Sequence, residues 1–269
     1  MLLLLAPGLS AEPLFDAHMH YNAADAAYFS PQQIIAKLDQ GQVSQAAVTS
    51  TPAHLAKRLH QQAPERIAPL LGIYRNPSDK RRWHQDDSLP SRIEAALEQG
   101  GWQGIGELHI FAKDRHSPVF RRIVELAEQY RLPLLLHADP AVIDRVYDIA
   151  PEQPVIWAHA GTFPYPDLLA DYLQRYPALS VDLSVRDDRI APQGEIRDEW
   201  YELFVTYPNR CMIGVDTYRL SRWHEYAKAA QKIRRWTGQL SDDIASRLNF
   251  KNAAAIFHAA NRNTQQQDE

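Results

Sequence analysis

Four histidines and two carboxylates in this chain follow or end short apolar runs, where they could bind metal ions. These six residues are His18, His20, Glu107, His137, His159 and Asp216. The first two histidines are separated by one residue, so on a β-strand both imidazoles would point to the same face. Imidazole nitrogens and carboxylate oxygens together form a ligand set that suits Zn²⁺, Mn²⁺, Fe²⁺ or Co²⁺. The residue types therefore predict a site for a divalent transition metal, with zinc as the first choice.

Each of these residues also has an ordinary structural explanation when it is taken alone. A His-x-His pair arises by chance, Glu107 could form a salt bridge, and Asp216 could cap a turn. The prediction of a metal site depends on these residues occurring together at strand ends. Four of the 11 histidines fall at predicted strand ends. The two carboxylates fall at two further strand ends.

The elements that must position these side chains alternate between short apolar runs and amphipathic stretches. Strands are predicted at 14–18, 45–50, 67–74, 104–108, 132–137, 154–159, 179–184 and 211–216. Helices are predicted at 30–38, 53–62, 91–99, 117–130, from 139 onward, and at 167–175, 196–206, 223–236 and 241–258. Eight strand-then-helix units indicate the α/β class and a single (β/α)8 TIM barrel with extra C-terminal helices. A doubly wound open sheet is the rival, but it more often carries a glycine-rich phosphate turn after its first strand.

The barrel is assigned to residues 12–260 and a polar tail to 261–269. Residues 1–11 begin with a short apolar run that ends in small residues, but the basic start of a signal peptide is missing. They are interpreted with equal weight as a signal-peptide remnant or as a disordered N-terminal extension. The first interpretation predicts a periplasmic or secreted protein, and the second a cytoplasmic one.

Composition excludes several classes of protein. The chain has 269 residues, a hydrophobic fraction of 45% and a net charge of −4, which suit one globular barrel. That charge offers no basic footprint, so a small molecule is expected as partner rather than nucleic acid. Cys211 is the single cysteine, which excludes an intramolecular disulfide and a cysteine-rich zinc site. No apolar run approaches the roughly 18 residues of a membrane span, and the oligomeric state is left open.

The residues around these positions resemble the amidohydrolase superfamily of metal-dependent hydrolases, from Phe15 to about His258. The matching motifs are Asp16-Ala-His18-Met-His20, Gly104-Ile-Gly-Glu107, Leu136-His137, Ala158-His159-Ala-Gly161, Gly214-Val-Asp216 and the closing segment 249–257. Many members carry a carboxylated lysine on strand four, where this chain has Glu107. In this respect the chain is similar to branches that use a glutamate bridge. The branches that it resembles are the amidohydrolase-related, phosphotriesterase-like and deoxyribonuclease-like ones.

The resemblance implies one or two divalent metal ions as cofactor. The histidines of strand one would hold one ion together with Asp216, those of strands five and six would hold the second, and Glu107 would bridge them. A water activated there would cleave an amide, ester, lactone or phosphoester bond, with Asp216 as general base and later as acid. A single ion held without Glu107, with His159 polarising the substrate, is the alternative.

Several cationic or donor side chains lie near the same strand ends and are candidates for substrate binding. They are Arg75, His109, Lys113, Arg186 and Arg219. Arginine suits carboxylate and phosphate oxygens, which leads to the hypothesis of an anionic small-molecule substrate. For each residue alone, a solvated loop charge or a hydrogen-bonded histidine at the rim is the more common explanation.

Two other functions compete with hydrolysis. One is non-oxidative decarboxylation of an aromatic acid at a single metal ion, which would not require Glu107. The other is a non-catalytic metal-binding barrel, against which the complete ligand set and the candidate base Asp216 argue. A nuclease is disfavoured by the acidic balance and by the lack of a basic stretch with interleaved aromatic residues.

Overall fold

The computed structural model of the chain describes residues 13–267, with side chains through residue 261. The signal-peptide or extension prediction for residues 1–11 lies outside the described residues. The segment predicted as a polar tail continues the last helix as far as Gln267. Within the described part, no helix is both long enough and apolar enough to cross a membrane.

Eight strands alternate with helices along the chain. The strands are β1 Leu14–His20, β2 Val43–Thr49, β3 Ile67–Pro69, β4 Ile105–Ile110, β5 Leu134–Ala138, β6 Val155–Trp157, β7 Leu179–Asp182 and β8 Cys211–Met212. The helices are α1 Ala23–Ala26, α2 Pro31–Gln40, α3 His54–Gln62, α4 Leu89–Glu98, α5 Pro118–Gln129, α6 Pro140–Ile149, α7 Pro166–Arg175, α8 Asp187–Ile190, α9 Asp198–Thr206, α10 Leu220–His224, α11 Tyr226–Thr237, α12 Asp242–Ser246 and α13 Asn252–Gln267. The predicted α/β class is confirmed, and the fold is that of a TIM barrel with extra C-terminal helices.

All strand pairings are parallel, but the strands form two sheets rather than one continuous closed ladder. One sheet has the order β1-β2-β3 and the other β4-β5-β6-β7-β8. An isolated bridge between Leu71 and Ile105 connects β3 to β4. On the other side, Ala17 N donates to Ile213 O at 3.0 Å and Asp216 N donates to His18 O at 2.7 Å. The carboxyl ends of the strands are thereby gathered around one mouth.

Four strands end two or more residues before the predicted position, and after three of them the backbone turns at the mouth. Strand three ends at Pro69, strand six at Trp157, strand seven at Asp182 and strand eight at Met212. The chain then turns: His159 and Asp216 have φ of 57° and 56°, in the left-handed region. Apolar character continues through these turns because they are buried, so hydropathy alone does not show where the ladders end.

The first helix of the barrel wall illustrates how local sequence sets element ends. Ser30 precedes α2, and its hydroxyl accepts a hydrogen bond from Gln33 N at 3.3 Å. The Gln33 side chain in turn accepts from Ser30 N at 2.8 Å. This is a capping box, and Pro31 occupies the first helical position.

The barrel interior holds its own apolar cluster, closed at one end by α13. Phe15 and Ala17 of β1 belong to this cluster, and Phe15 stacks on Phe257 with ring centroids 5.5 Å apart. A register shift between Asp16 and Met19 then changes which side chains of β1 face the barrel interior and which face the outer core. Met19 consequently packs in the outer core, and the two histidines on either side of it face the mouth of the barrel.

Candidate metal centre

The six predicted ligands converge at the mouth, and Glu107 of β4 lies among the other five. Its Oε2 is 3.8 Å from His18 Nε2 and 3.5 Å from His20 Nε2. Its Oε1 is 3.5 Å from His137 Nδ1 and 3.0 Å from His159 Nε2. The two carboxylate oxygens therefore face two different pairs of histidines.

Asp216 completes the group that faces Glu107 Oε2. Its Oδ1 lies 3.3 Å from His20 Nε2 and 3.9 Å from His18 Nε2. Its Oδ2 lies 3.9 Å from His159 Nδ1, so this carboxylate is adjacent to both histidine pairs. This convergence agrees with the prediction from the sequence that the carboxyl ends of the strands meet at one mouth.

At the centre two ring nitrogens lie against each other, and two further buried polar atoms lack hydrogen-bond partners within the described part of the chain. His18 Nε2 and His20 Nε2 lie 3.2 Å apart. Among the described residues, the buried atoms His137 Nδ1 and Asp216 Oδ1 have no hydrogen-bond partner of acceptable geometry. Buried polar atoms without partners are costly, and a shared cation satisfies such atoms. The donor set of imidazoles and carboxylates fits divalent transition metal ions.

Behind these ligands lies a buried carboxylate that sequence reasoning missed, Asp182 at the end of β7. Its Oδ2 accepts from His18 Nδ1 at 2.7 Å and from the backbone N of His159 at 3.2 Å. The Ser184 hydroxyl donates to the same oxygen at 2.7 Å and accepts from His159 Nδ1 at 2.9 Å. Both imidazoles are thus held with Nε2 directed to the centre, the orientation that a metal ligand requires.

The signal for Asp182 was present in the sequence: the run Leu-Ser-Val-Asp-Leu-Ser places a carboxylate inside a buried strand. A buried carboxylate requires partners, which was reason to nominate it. Gly214 is also needed here, because a Cβ at that position would lie 2.5 Å from Asp182 Oδ1 and 3.0 Å from His18 Cβ.

Asp182→Asn is expected to weaken metal binding by about 10- to 100-fold. An amide nitrogen facing His18 Nδ1 would favour the tautomer with its proton on Nε2, which cannot bind a metal. The measurement is the zinc dissociation constant, by competition with a chelating dye. Asp144→Asn is the matched control, since that carboxylate also has several partners but lies among Tyr172, Tyr176 and Arg175. A dissociation constant within about threefold of wild type would remove Asp182 from this role.

The pKa values of the cluster follow from mutual charges acting against burial. Burial lowers the pKa of His18, but the carboxylates of Asp216, Asp182 and Glu107 outweigh it and raise that pKa well above its ordinary value. Conversely, burial would raise the pKa of Glu107, but His109 and His18 hold it well below its usual range. Glu107 is therefore an ionised carboxylate, and the raised pKa of His18 favours its protonated form, so a metal ion bound at His18 would displace a proton.

Two of the predicted ligands have unusual backbone conformations. His159 and Asp216 both have positive φ, which costs a non-glycine residue about 1–3 kcal/mol. Gly161 follows His159 with φ of 74°, and a Cβ there would lie 2.7 Å from the Trp157 ring. Arg186 Nε donates to the carbonyl of His159 at 2.6 Å and secures this turn. Strain retained at two ligand positions is typical of a functional site.

A cavity of about 400 Å³ opens directly beside the cluster. Its lining includes His20, Asn22, Thr49, Thr51, Tyr74, Arg75, Lys80, Glu107 and Tyr218. Tyr74 and Tyr218 provide aromatic walls, and two of the ligands form its floor. The cavity is therefore the space from which a substrate would reach the centre.

The predicted substrate-binding residues are placed differently from one another. Arg75 lines the cavity, and His109 Nε2 lies 2.9 Å from Glu107 Oε2. Lys113 is exposed on a 3-10 turn, and no hydrogen bond or ion pair of the described residues joins it to the six ligands. Arg186 secures the turn at His159, and Arg219 lies against the Tyr218 ring at 5.4 Å. Contact of these side chains with substrate stays a prediction.

The chain matches one protein family by sequence and several solved structures by fold. The sequence model of a family described as TatD related DNase matches residues 15–164. No curated protein matches the chain by sequence. Among solved structures, a TatD homologue from Escherichia coli K12 has a TM-score of 0.66 at 14% identity, over 91% of this chain and 98% of that one.

Two further structures share the fold. An amidohydrolase from Burkholderia multivorans, crystallised with bound zinc, has a TM-score of 0.59 at 16% identity over 91% of this chain and 99% of that one. The 4-oxalomesaconate hydratase of Rhodopseudomonas palustris has a TM-score of 0.61 at 12% identity, over 95% of this chain and 100% of that one. At these identities the likeness concerns the fold alone.

Proposed function

The chain belongs to the TatD-related DNase family, and we propose that it is a metal-dependent hydrolase that cleaves phosphoester bonds at a centre for two divalent metal ions. The description of its family supports the choice of bond. The division of the Glu107 oxygens between two histidine pairs supports the choice of two ions.

The proposed ligands fall into two groups that share one carboxylate. The histidines of β1 and Asp216 form one group, and His137 and His159 form the other. Glu107 would be shared by both groups, with zinc as the first choice of ion. Ions held there would supply Lewis-acid activation of the attacking water and of the scissile phosphoryl oxygen.

The protein's own groups then have defined tasks. The Asp216 carboxylate lies beside both histidine pairs, with Oδ1 near His20 and Oδ2 near His159. It would therefore accept the proton of the attacking water and afterwards deliver it to the leaving oxygen. Asp182 holds His18 in the orientation that leaves Nε2 free. The cavity walls of Tyr74 and Tyr218 restrict the directions from which a substrate can enter.

The net charge of −4 constrains the kind of phosphoester. A long duplex contacts many basic side chains, whereas two cations, Arg75 and Lys80, are found among the described residues that line the cavity. A small phosphoester or the end of a single strand requires only a few such contacts. Composition alone disfavours nucleic acid, but the end of a nucleic acid strand is thus a candidate substrate.

The proposal is tested by removing the metal and restoring it against a panel of substrates. About two equivalents of zinc or manganese are expected per chain. A chelator should abolish hydrolysis of bis-p-nitrophenyl phosphate, and metal should restore it. His116→Ala, an exposed histidine outside the cluster, is expected to behave as wild type.

The panel also contains a lactone, an aryl ester, an amide and an aromatic acid. Turnover of carbonyl substrates alone would show that the proposed bond is wrong. One equivalent of metal together with release of carbon dioxide from the aromatic acid would favour the decarboxylase. A protein without metal after reconstitution would refute the proposal altogether.

A further inference from the structure

The cavity beside the metal ligands has an uneven distribution of charge. Among the described residues that line it, Glu107 is the acidic residue, and Arg75 and Lys80 are the two cationic ones. Glu107 is committed to the histidines, so the charge available to an incoming group is positive. An anionic group of the substrate is therefore favoured in this cavity.

The two cations differ in whether a carboxylate already pairs with their charge. The Arg75 guanidinium lies 3.4 Å from an Asp79 oxygen and 3.6 Å from an Asp86 oxygen, and it is largely exposed. Lys80 is half-buried, and it forms no ion pair with a carboxylate of the described residues. Of the two, Lys80 is the cation whose charge is not already compensated.

His109, the ring next to the Lys80 ammonium group, does not provide that group with a hydrogen-bond acceptor. Lys80 Nζ lies 3.1 Å from His109 Nε2, and that same nitrogen lies 2.9 Å from Glu107 Oε2. One imidazole nitrogen cannot both donate to the carboxylate and accept from the ammonium. With its hydrogen directed to Glu107, it offers nothing to Lys80.

His109 cannot easily turn away to resolve this conflict. Its backbone N donates to Tyr74 Oη at 2.8 Å, and Trp83 Nε1 donates to its carbonyl at 2.8 Å. Its ring also stacks on His137, with centroids 4.3 Å apart. The half-buried Lys80 ammonium therefore lies beside a fixed ring, and it is 5.9 Å from the centroid of the Tyr74 ring, so it belongs to the cavity wall and has no carboxylate partner among the described residues.

Resting on the proposed function, we propose that Lys80 binds a second, non-scissile phosphate of the substrate, at a terminal position next to the bond that is cut. Only two short contacts, through His109, separate its Nζ from Glu107. A phosphate in the cavity would thus lie one group away from the metal ligands. A lysine ammonium binds phosphate oxygens through charge-assisted hydrogen bonds. Lys80 is thereby a specificity-determining residue, distinct from the ligands and from the candidate base.

The test compares thymidine dinucleotides that differ by one terminal phosphate. Unmodified dTpdT is compared with its 5′-phosphorylated and 3′-phosphorylated forms, using metal-loaded protein. For wild type, one of the phosphorylated forms is expected to have a kcat/KM about 10- to 100-fold above that of dTpdT. Lys80→Met should abolish this preference and leave hydrolysis of dTpdT itself nearly unchanged. Lys80→Arg should restore most of the preference.

Arg81→Met is the matched control, because Arg81 is the next residue of the same 3-10 turn, Pro77–Arg81, and does not line the cavity. It removes the same charge locally and should keep the preference. A wild-type enzyme indifferent to both terminal phosphates overturns the proposal. So does a preference that survives in Lys80→Met.

A binding measurement separates failure of this inference from failure of the proposed function. If wild type cleaves none of the dinucleotides, phosphoester hydrolysis is wrong, and Lys80 is then judged by calorimetric titration of inorganic phosphate into the metal-loaded proteins. Lys80→Met is expected to bind phosphate about tenfold or more weakly than both wild type and Arg81→Met. Equal affinities in the three proteins would contradict a phosphate subsite at Lys80.

Discussion

Glu107→Gln is expected to reduce bound metal from about two equivalents to about one and to lower kcat/KM by about 1,000-fold or more. The substitution preserves the shape of the side chain but removes one anionic oxygen. An amide NH₂ group would then face one of the two histidine pairs, where it cannot serve as a ligand. The loss corresponds to about 4 kcal/mol of transition-state stabilisation.

The measurement combines elemental analysis with kinetics on bis-p-nitrophenyl phosphate. Glu98→Gln, an exposed residue at the end of α4, controls for the loss of one negative charge. Two equivalents of metal and activity within about tenfold of wild type would show that Glu107 is not a bridge. One equivalent in both wild type and Glu107→Gln would instead indicate a single-ion centre.

Asp216→Asn is expected to lower kcat by about 100- to 10,000-fold, the range typical of a general acid–base group. Burial alone would raise the pKa of Asp216, but His18 and His20 outweigh it and hold that pKa below its ordinary value. The carboxylate is consequently in its proton-accepting form across the neutral range. An amide retains an oxygen for ligation but cannot accept the proton.

Two leaving groups separate this role from simple loss of a ligand. The rate deficit should be largest for an alkyl phosphodiester, whose leaving oxygen needs a proton, and about tenfold or more smaller for a p-nitrophenyl diester. A ligand-only role would give equal deficits and a parallel loss of metal. Asp198→Asn, in the exposed first turn of α9, is expected to match wild type with both substrates.

The strand-end residues were predictable because parallel strands of a barrel deliver their carboxyl ends to one place. His18, Glu107 and His159 are far apart along the chain, yet each ends or follows an apolar run, and the structure brings them together. Their function as ligands stays a prediction that metal analysis can test. The barrel itself and its extra C-terminal helices were likewise indicated by the alternation of apolar and amphipathic segments.

Strand lengths were less predictable, because buried turns remain as apolar as the ladders that precede them. Strand eight was expected through Asp216 but ends at Met212. Asp182 was missed because a lone aspartate in a strand has no periodic signature, although its burial made a partner necessary. Lys80 was missed because its significance depends on which neighbours compensate its charge.

Residue types and their spacing along the chain alone thus determined the fold class, the strand ends that meet at the mouth, and the kind of metal that would suit them. Tertiary structure decided which oxygen of Glu107 faces which histidines, since that depends on distances between strands distant in sequence. It also decided that His18 is oriented by Asp182, and that Arg75 is compensated while Lys80 is not. Hydrogen bonds and ion pairs form only between groups a few ångströms apart in space. The positions of two residues along the chain do not give that distance.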